Sequence, residues 1–242
     1  MKRVIVIPAR YGSTRLPGKP LLDMGGKPLI ERVYERARGS HLADAVMIAT
    51  DDRRVFERCR AFGASVVMTG PECRSGTDRV HAALAGIDGE IVINLQGDEP
   101  EIRADMIDTL FRAMDGREKP EMATLCSVIH DRAEYEDPHV VKCVLDRNGF
   151  ALYFSRAPLP FLKESQGGAV APLYKHIGIY AFSRSFLDTF VALPKGRLEE
   201  AESLEQLRAL EAGYRIKCVL VEYEGMGIDT EADLERARKR AR

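Results

Sequence analysis

A chain of 242 residues has room for one large domain, or one domain with an extra lobe; 45% hydrophobic and 30% charged residues describe a globular protein with a sizeable core. The 36 basic and 37 acidic side chains leave a net charge of −1, which excludes a global field for nucleic acid or anionic lipid, so basic residues can matter only locally. The apolar run Val4 to Ile7 stops at Pro8, too early for a secretion signal, and nothing approaches the roughly 20 apolar residues of a membrane span.

In chain order, Val4 to Ile7 reads as a strand covered on both faces, followed by a Gly- and Pro-rich loop from Pro8 to Gly26. Pro28 opens a helix with Leu29, Ile30, Val33 and Ala37 on one face. Ala45 to Thr50 is a second buried strand, Asp52 to Phe62 a helix stopped by Gly63, and Ser65 to Met68 a short strand. Thr77 to Ala85 is helical, Glu90 to Leu95 another buried strand, and Ala104 to Met114 a helix. This alternation predicts a Rossmann-like, mostly parallel sheet with helices on both faces.

After about Pro120 the rhythm changes. Met122 to Val128, Val140 to Leu145 and Phe150 to Phe154 read as strands, with Arg147-Asn148-Gly149 as a hairpin turn, and Lys175 to Phe182 as a further strand. Glu164 to Pro172 is a loop with few apolar anchors, expected to be mobile. Ser203 to Ala212 is expected as a helix, Ile216 to Val221 as a strand, and Thr230 to Arg240 as a charged helix whose Thr230 and Asp233 form a capping box. The expectation is one α/β domain over residues 1–242, with a small antiparallel accessory lobe at about 122–200. Cys59, Cys73, Cys126, Cys143 and Cys218 are odd in number and lack CxxC spacing, as suits idle thiols in a reducing cytoplasm.

Ligands of open parallel sheets bind beyond the carboxyl ends of the strands. The loop after the first strand, PARYGSTRLPGKP, carries Arg10, Arg15 and Lys19, the turn formers Gly12 and Gly18, and the hydroxyls of Ser13 and Thr14. Backbone amides plus unopposed cations suit a triphosphate, although the loop is neither a Walker A sequence nor a GxGxxG fingerprint. Composition alone leaves a solvated basic turn standing beside that reading. NLQGDEP, Asn94 to Pro100, puts Asp98 at another strand end, and GIDT puts Asp229 beside a helix start. Two such carboxylates suit a hard cation that bridges phosphates, while turn formation and helix capping are the ordinary alternatives.

Read together, PARYGSTRLPGKPL, NLQGDEP, YFSRAPLP, HIGIY, SLEQLR and GIDT resemble the CMP-Kdo synthetases, cytidylyltransferases acting on 3-deoxy-manno-octulosonate (Kdo). The motifs come in the family's order and span about Arg3 to Arg238. The resemblance implies the nucleotide-diphospho-sugar transferase fold, CTP and Kdo as substrates, magnesium as cofactor, and a cytoplasmic homodimer formed through Phe150 to Phe182, with no nucleic acid or membrane partner. It further implies that Arg10, Ser13, Arg15 and Lys19 hold the phosphates, with Lys19 and Arg15 offsetting charge on the departing pyrophosphate. Arg74, Ser75, Gly76 and Gln96 would line the nucleoside pocket, Asp98 and Asp229 would bind magnesium, and Asp98, Lys19 and Arg15 would carry catalysis. Arg156, His176, Tyr180, Glu205 and Gln206 would hold the sugar. On their own residue types, Arg156 also reads as a surface ion pair, His176 as a satisfied strand histidine and Glu205 as helix-dipole compensation. Pro158-Leu159-Pro160-Phe161 departs from the family's usual Ile-Pro-Trp, keeping an aromatic at Phe161. Transfer to sialic acid or 8-amino-Kdo, and a non-catalytic nucleotide sensor, are the rival readings.

Overall fold

The structure, a computed structural model, describes residues 2–12, 16–163, 172–225, 227–228 and 230–240. Ser13, Arg15, Asp229 and nearly all of the loop expected at 164–172 therefore lie outside the described residues. The first half alternates as its sequence predicts: β1 (Arg3–Pro8), α1 (Leu29–Arg38), β2 (Ala45–Thr50), α2 (Arg53–Ala61), β3 (Val66–Met68), α3 (Gly76–Ala83), β4 (Ile91–Leu95) and α4 (Ala104–Asp115). The second half contains β5 (Met122–Val128), α5 (Arg132–Glu136), β6 (Lys142–Leu145), β7 (Ala151–Ser155), β8 (Tyr174–Ser183), α6 (Arg184–Ala192), α7 (Arg197–Glu202), α8 (Leu207–Glu211), β9 (Ile216–Leu220) and α9 (Glu231–Arg240).

The sheet runs β3-β2-β1-β4-β8-β5-β9. Strands β1 to β4 are mutually parallel, β8 runs antiparallel to both β4 and β5, and β9 returns parallel to β5. β1 shows why the sheet is covered twice: Ile5 and Ile7 enter one apolar cluster with α1, α2 and α4, while Val4 and Val6 enter the other with α3 and α6. All four are fully buried, as the unbroken β-branched run predicts.

Of the stretch expected to form an accessory lobe, β5 and β8 lie inside the main sheet, and the β6–β7 hairpin sits off its main path. β8 is long enough to serve both. Its Ile179–Ser183 half pairs with β4, and Tyr174 and Lys175 pair with β6. Strand pairing between segments 80 residues apart is invisible to local periodicity, so the sequence shows the strands and not their neighbours.

The helix expected at 203–212 is the clearest correction. Ser203 adopts a left-handed conformation, φ 53°, and ends α7; α8 begins only at Leu207. The Arg208 guanidinium clamps the Glu199 carboxylate across this break with two bonds of 2.7 and 2.8 Å. Residues 203–206 therefore form a corner, and Glu205 projects from it. The helices α5, α6 and α7 were not anticipated; α6 in particular carries Phe186, Leu187 and Phe190 into the second cluster.

Candidate active site

β1 lies between β2 and β4, so the connections leaving its two sides diverge and open a crevice at the carboxyl ends. The first loop enters it through Gly18, whose φ of 70° is left-handed; a side chain there would also press on the Tyr11 ring at 3.1 Å. That turn delivers Lys19 into the crevice, where its Nζ donates to Asp98 Oδ2 at 2.7 Å and to the Ile228 carbonyl at 2.6 Å. The Asp98 loop can come this close because Gly97 has no side chain; a Cβ would sit 3.0 Å from the Pro8 carbonyl oxygen.

The third arm comes from the chain's end. Leu234 and Ala237 of α9 pack with Ile228 against Leu16, Met24 and Leu29, and burying one such leucine contributes about 1.5–3 kcal/mol. Ile228 N–H donates to the Asp98 carbonyl at 2.9 Å, and Arg238 Nε to the Asp23 carbonyl at 2.9 Å. The expected capping box is present, with Asp233 N–H on Thr230 Oγ1 at 3.2 Å and Thr230 N–H on Asp233 Oδ2 at 2.8 Å. Apolar packing thus brings Gly227 and Ile228 of the GIDT segment against the Asp98 loop.

These loops enclose a cavity of about 1080 Å³. Its lining includes the basic Arg10, Lys19 and Arg74, then Ser75, Gly76, Gln96 and Asp98, and Ser203, Glu205 and Arg208 from around the break before α8. Ser75 caps α3 through a complete capping box with Asp78, which fixes the turn that exposes Arg74 and Gly76.

Thr77 Oγ1 donates to Glu205 Oε2. Burial pushes the Glu205 carboxyl above its ordinary range, while the Thr77 and Ser75 hydroxyls and Arg208 pull it back. Tyr180 O–H donates to Gln206 Oε1 at 3.0 Å, both side chains being buried. Glu205 Oε1 and Gln206 Nε2 are buried with no hydrogen-bond partner among the described residues, an acceptor and a donor on adjacent side chains. His176 packs edge-on to Phe154 and beside Tyr180, and burial drives its pKa down to about 3. Its Nε2 lies 2.9 Å from Thr124 Oγ1, and the Thr124 hydroxyl donates to the Ile179 carbonyl at 2.7 Å, leaving its oxygen to accept from a neutral imidazole.

The family described as Cytidylyltransferase matches residues 4–216. A 3-deoxy-manno-octulosonate cytidylyltransferase of Anaeromyxobacter sp. is 52% identical over 98% of this chain and 96% of the relative. That of Thermodesulfovibrio yellowstonii is 48% identical over 99% and 98%, and an 8-amino-3,8-dideoxy-manno-octulosonate cytidylyltransferase of Shewanella amazonensis 47% over 99% and 98%. A solved CMP:2-keto-3-deoxy-manno-octonic acid synthetase complexed with CTP superposes with a TM-score of 0.93, at 46% identity, over 99% of this chain and 98% of the other. The chain belongs to the cytidylyltransferase family.

Within this cytidylyltransferase the structure brings Arg10, Lys19, Arg74, Ser75, Gly76, Gln96, Asp98 and Glu205 to one cavity. Tyr180, Gln206, His176 and Arg156 are not in its lining. Glu205 is no helix-dipole residue, because it precedes α8 and its carboxylate is held by Thr77. Arg156 faces carbonyls: its Nε donates to Glu202 O at 2.7 Å and its Nη1 to Pro138 O at 3.2 Å. The sequence reading missed Ser203, Arg208 and the buried Asn94. An asparagine inside the otherwise apolar run IVINL was the one available signal, since a buried amide requires partners.

Proposed function

We propose that the protein transfers the CMP moiety of CTP to the anomeric hydroxyl of Kdo, giving CMP-Kdo and pyrophosphate. The observation that carries this reading is a single cavity lined by Arg10, Lys19 and Arg74, which suit phosphates, and by Glu205, whose buried Oε1 has no hydrogen-bond donor among the described residues and suits a sugar hydroxyl. Full-length relatives at 48% and 52% identity carry the same activity in their names.

In this reading Arg10 and Lys19, with Ser13 and Arg15, hold the triphosphate. Lys19 and Arg15 offset the charge that gathers on pyrophosphate as its bond to the α-phosphorus breaks. Glu205 and Gln206 orient the sugar's hydroxyls, with Tyr180 and His176 supporting them from behind. Arg156 faces the sugar carboxylate, its fork exchanging carbonyl partners for the acid. Catalysis is mainly positioning and electrostatics: the anomeric oxygen is held in line with the leaving pyrophosphate.

Magnesium fits the donor set. Asp98 offers hard carboxylate oxygens in the cavity lining, and the loop bearing the second carboxylate, Asp229, is bonded to it through Ile228. When bound, the ion would supply charge neutralisation and orientation at the α-phosphate. A homodimer through the middle lobe fits the exposed Leu152, Phe161 and Leu162, which are 62%, 87% and 37% accessible. A cytoplasmic location suits CTP as substrate, and no described helix is long and apolar enough to cross a membrane.

The names of several 46–47% identical relatives favour 8-amino-Kdo as the second reading. Pyrophosphate release with CTP and magnesium, offering Kdo, its 8-amino analogue and sialic acid in parallel, tests both. Release with Kdo is expected. Preference for the amino analogue moves the substrate, and silence with all three, while CTP still binds, overturns the catalytic reading in favour of a sensor.

A further inference from the structure

Asn94 is fully buried in the middle of β4, between Ile93 and Leu95 of the core. A buried amide in a strand ordinarily finds partners in the scaffold. Here both of its recorded partners belong to the active-site cavity's framework. Gln96 Nε2 donates to Asn94 Oδ1 at 2.9 Å, Asn94 Nδ2 donates to Thr77 Oγ1 at 3.1 Å, and Thr77 Oγ1 donates to Glu205 Oε2. All three bonds run in one direction and end on a carboxylate, the arrangement in which each donor polarises the next. Gln96 and Glu205 both line the cavity, while Thr77 and Asn94 have no exposed surface.

We propose that Asn94 and Thr77 are positioning residues that tie Gln96, on the nucleotide side, to Glu205, on the sugar side, so that two side chains which touch neither substrate set the geometry of the acid-sugar pocket. The division into nucleotide and sugar sides rests on the function proposed above. With Oε2 held by Thr77, Glu205 keeps its buried Oε1, which has no hydrogen-bond donor among the described residues, as the acceptor for a sugar hydroxyl. The charged neighbours of Glu205 are Arg208, whose Nη2 is 3.9 Å from Oε1, and Glu199; substitution at Thr77 leaves both in place.

Thr77→Val keeps the shape and removes the hydroxyl. Losing one hydrogen bond to a charged group is expected to raise the sugar KM about tenfold while the CTP KM stays within about twofold. The Glu205 carboxyl, followed by carbon-13 NMR and assigned through Glu205→Gln, is expected to titrate about one pH unit higher. Thr77→Ser should restore both. An unmoved Glu205 titration overturns the proposal, as does a parallel rise in both KM values or a serine variant no better than valine. Thr77→Ala, read in the same two ways, replaces valine if that variant does not fold. If the wild type turns over no acid sugar, the substrate assignment falls, and the NMR titration still decides whether Thr77 positions Glu205.

Discussion

Lys19 and Asp98, 79 residues apart in the chain, form an ion pair of 2.7 Å in the cavity lining. The pair joins the loop after β1 to the loop after β4, and the Ile228 carbonyl on Lys19 Nζ adds the segment before α9. A cation donor and a carboxylate meet where a phosphate-bound cation is proposed to sit. Asp98→Asn keeps the shape and removes the charge, so turnover is expected to fall at least about a hundredfold. A partly exposed pair contributes no more than about 1 kcal/mol, so the melting temperature should move by only a few degrees. Pyrophosphate release and thermal melting check this; a variant retaining a tenth of the wild-type rate refutes the assignment.

His176 sets part of the acid sensitivity of the fold. Its folded pKa is about 3 against an ordinary 6.5. Above pH 6.5 neither state carries the proton. Between 6.5 and 3 the unfolded chain binds a proton that the folded one refuses, so stability falls with falling pH, by about 1.4 kcal/mol per unit for one proton. Urea unfolding at pH 7 and pH 5 should therefore show a shallower pH dependence for His176→Asn than for the wild type. Identical slopes would show that the imidazole titrates freely.

Tyr180→Phe leaves the buried Gln206 Oε1 without its donor. An orphaned buried acceptor costs about 1–3 kcal/mol, measurable by denaturant unfolding. On the proposed function the sugar KM should rise with little change in the CTP KM, because Gln206 loses its fixed orientation. A variant as stable as the wild type, with unchanged KM, would count against both effects.

The Glu199–Arg208 clamp is the most enclosed ion pair at the site, with side-chain accessibilities of 6% and 11%. Glu199→Gln removes the carboxylate that holds the guanidinium over the Phe190 ring and leaves it only the ion pair to Glu205, at 3.9 Å, among the described residues, and such a loss typically costs about 3 kcal/mol. Exchanging both partners for apolar side chains, Glu199→Leu with Arg208→Met, should cost less than the single change. Comparing the two by urea unfolding checks this, and the reverse order would show that the pair is worth more than its desolvation.

Much of the scaffold was legible because its elements announce themselves over short windows. VIVI, AVMIAT and IVINL are unbroken buried runs, and Leu29, Ile30, Val33 and Ala37 mark the inward face of α1 at helical spacing. The site's loops were legible for the same reason, since they follow strand ends and concentrate Gly, Arg, Lys and Asp. The corner at 203–206 was not, because SLEQLR has helical composition and only the Arg208 clamp and the left-handed Ser203 break it. Nor could the sequence show that Arg156 would face the carbonyls of Glu202 and Pro138.

The sequence by itself determined the fold class, the order of elements in the first half, the basic loop after β1 and the acidic strand end, because each depends on residues within a few positions of one another. Only the tertiary structure decided which strands flank β8, that Thr77 holds Glu205 across 128 residues, and that His176 is neutral. Those outcomes depend on desolvation and on hydrogen bonds between segments far apart in the chain, and neither leaves a local pattern to read.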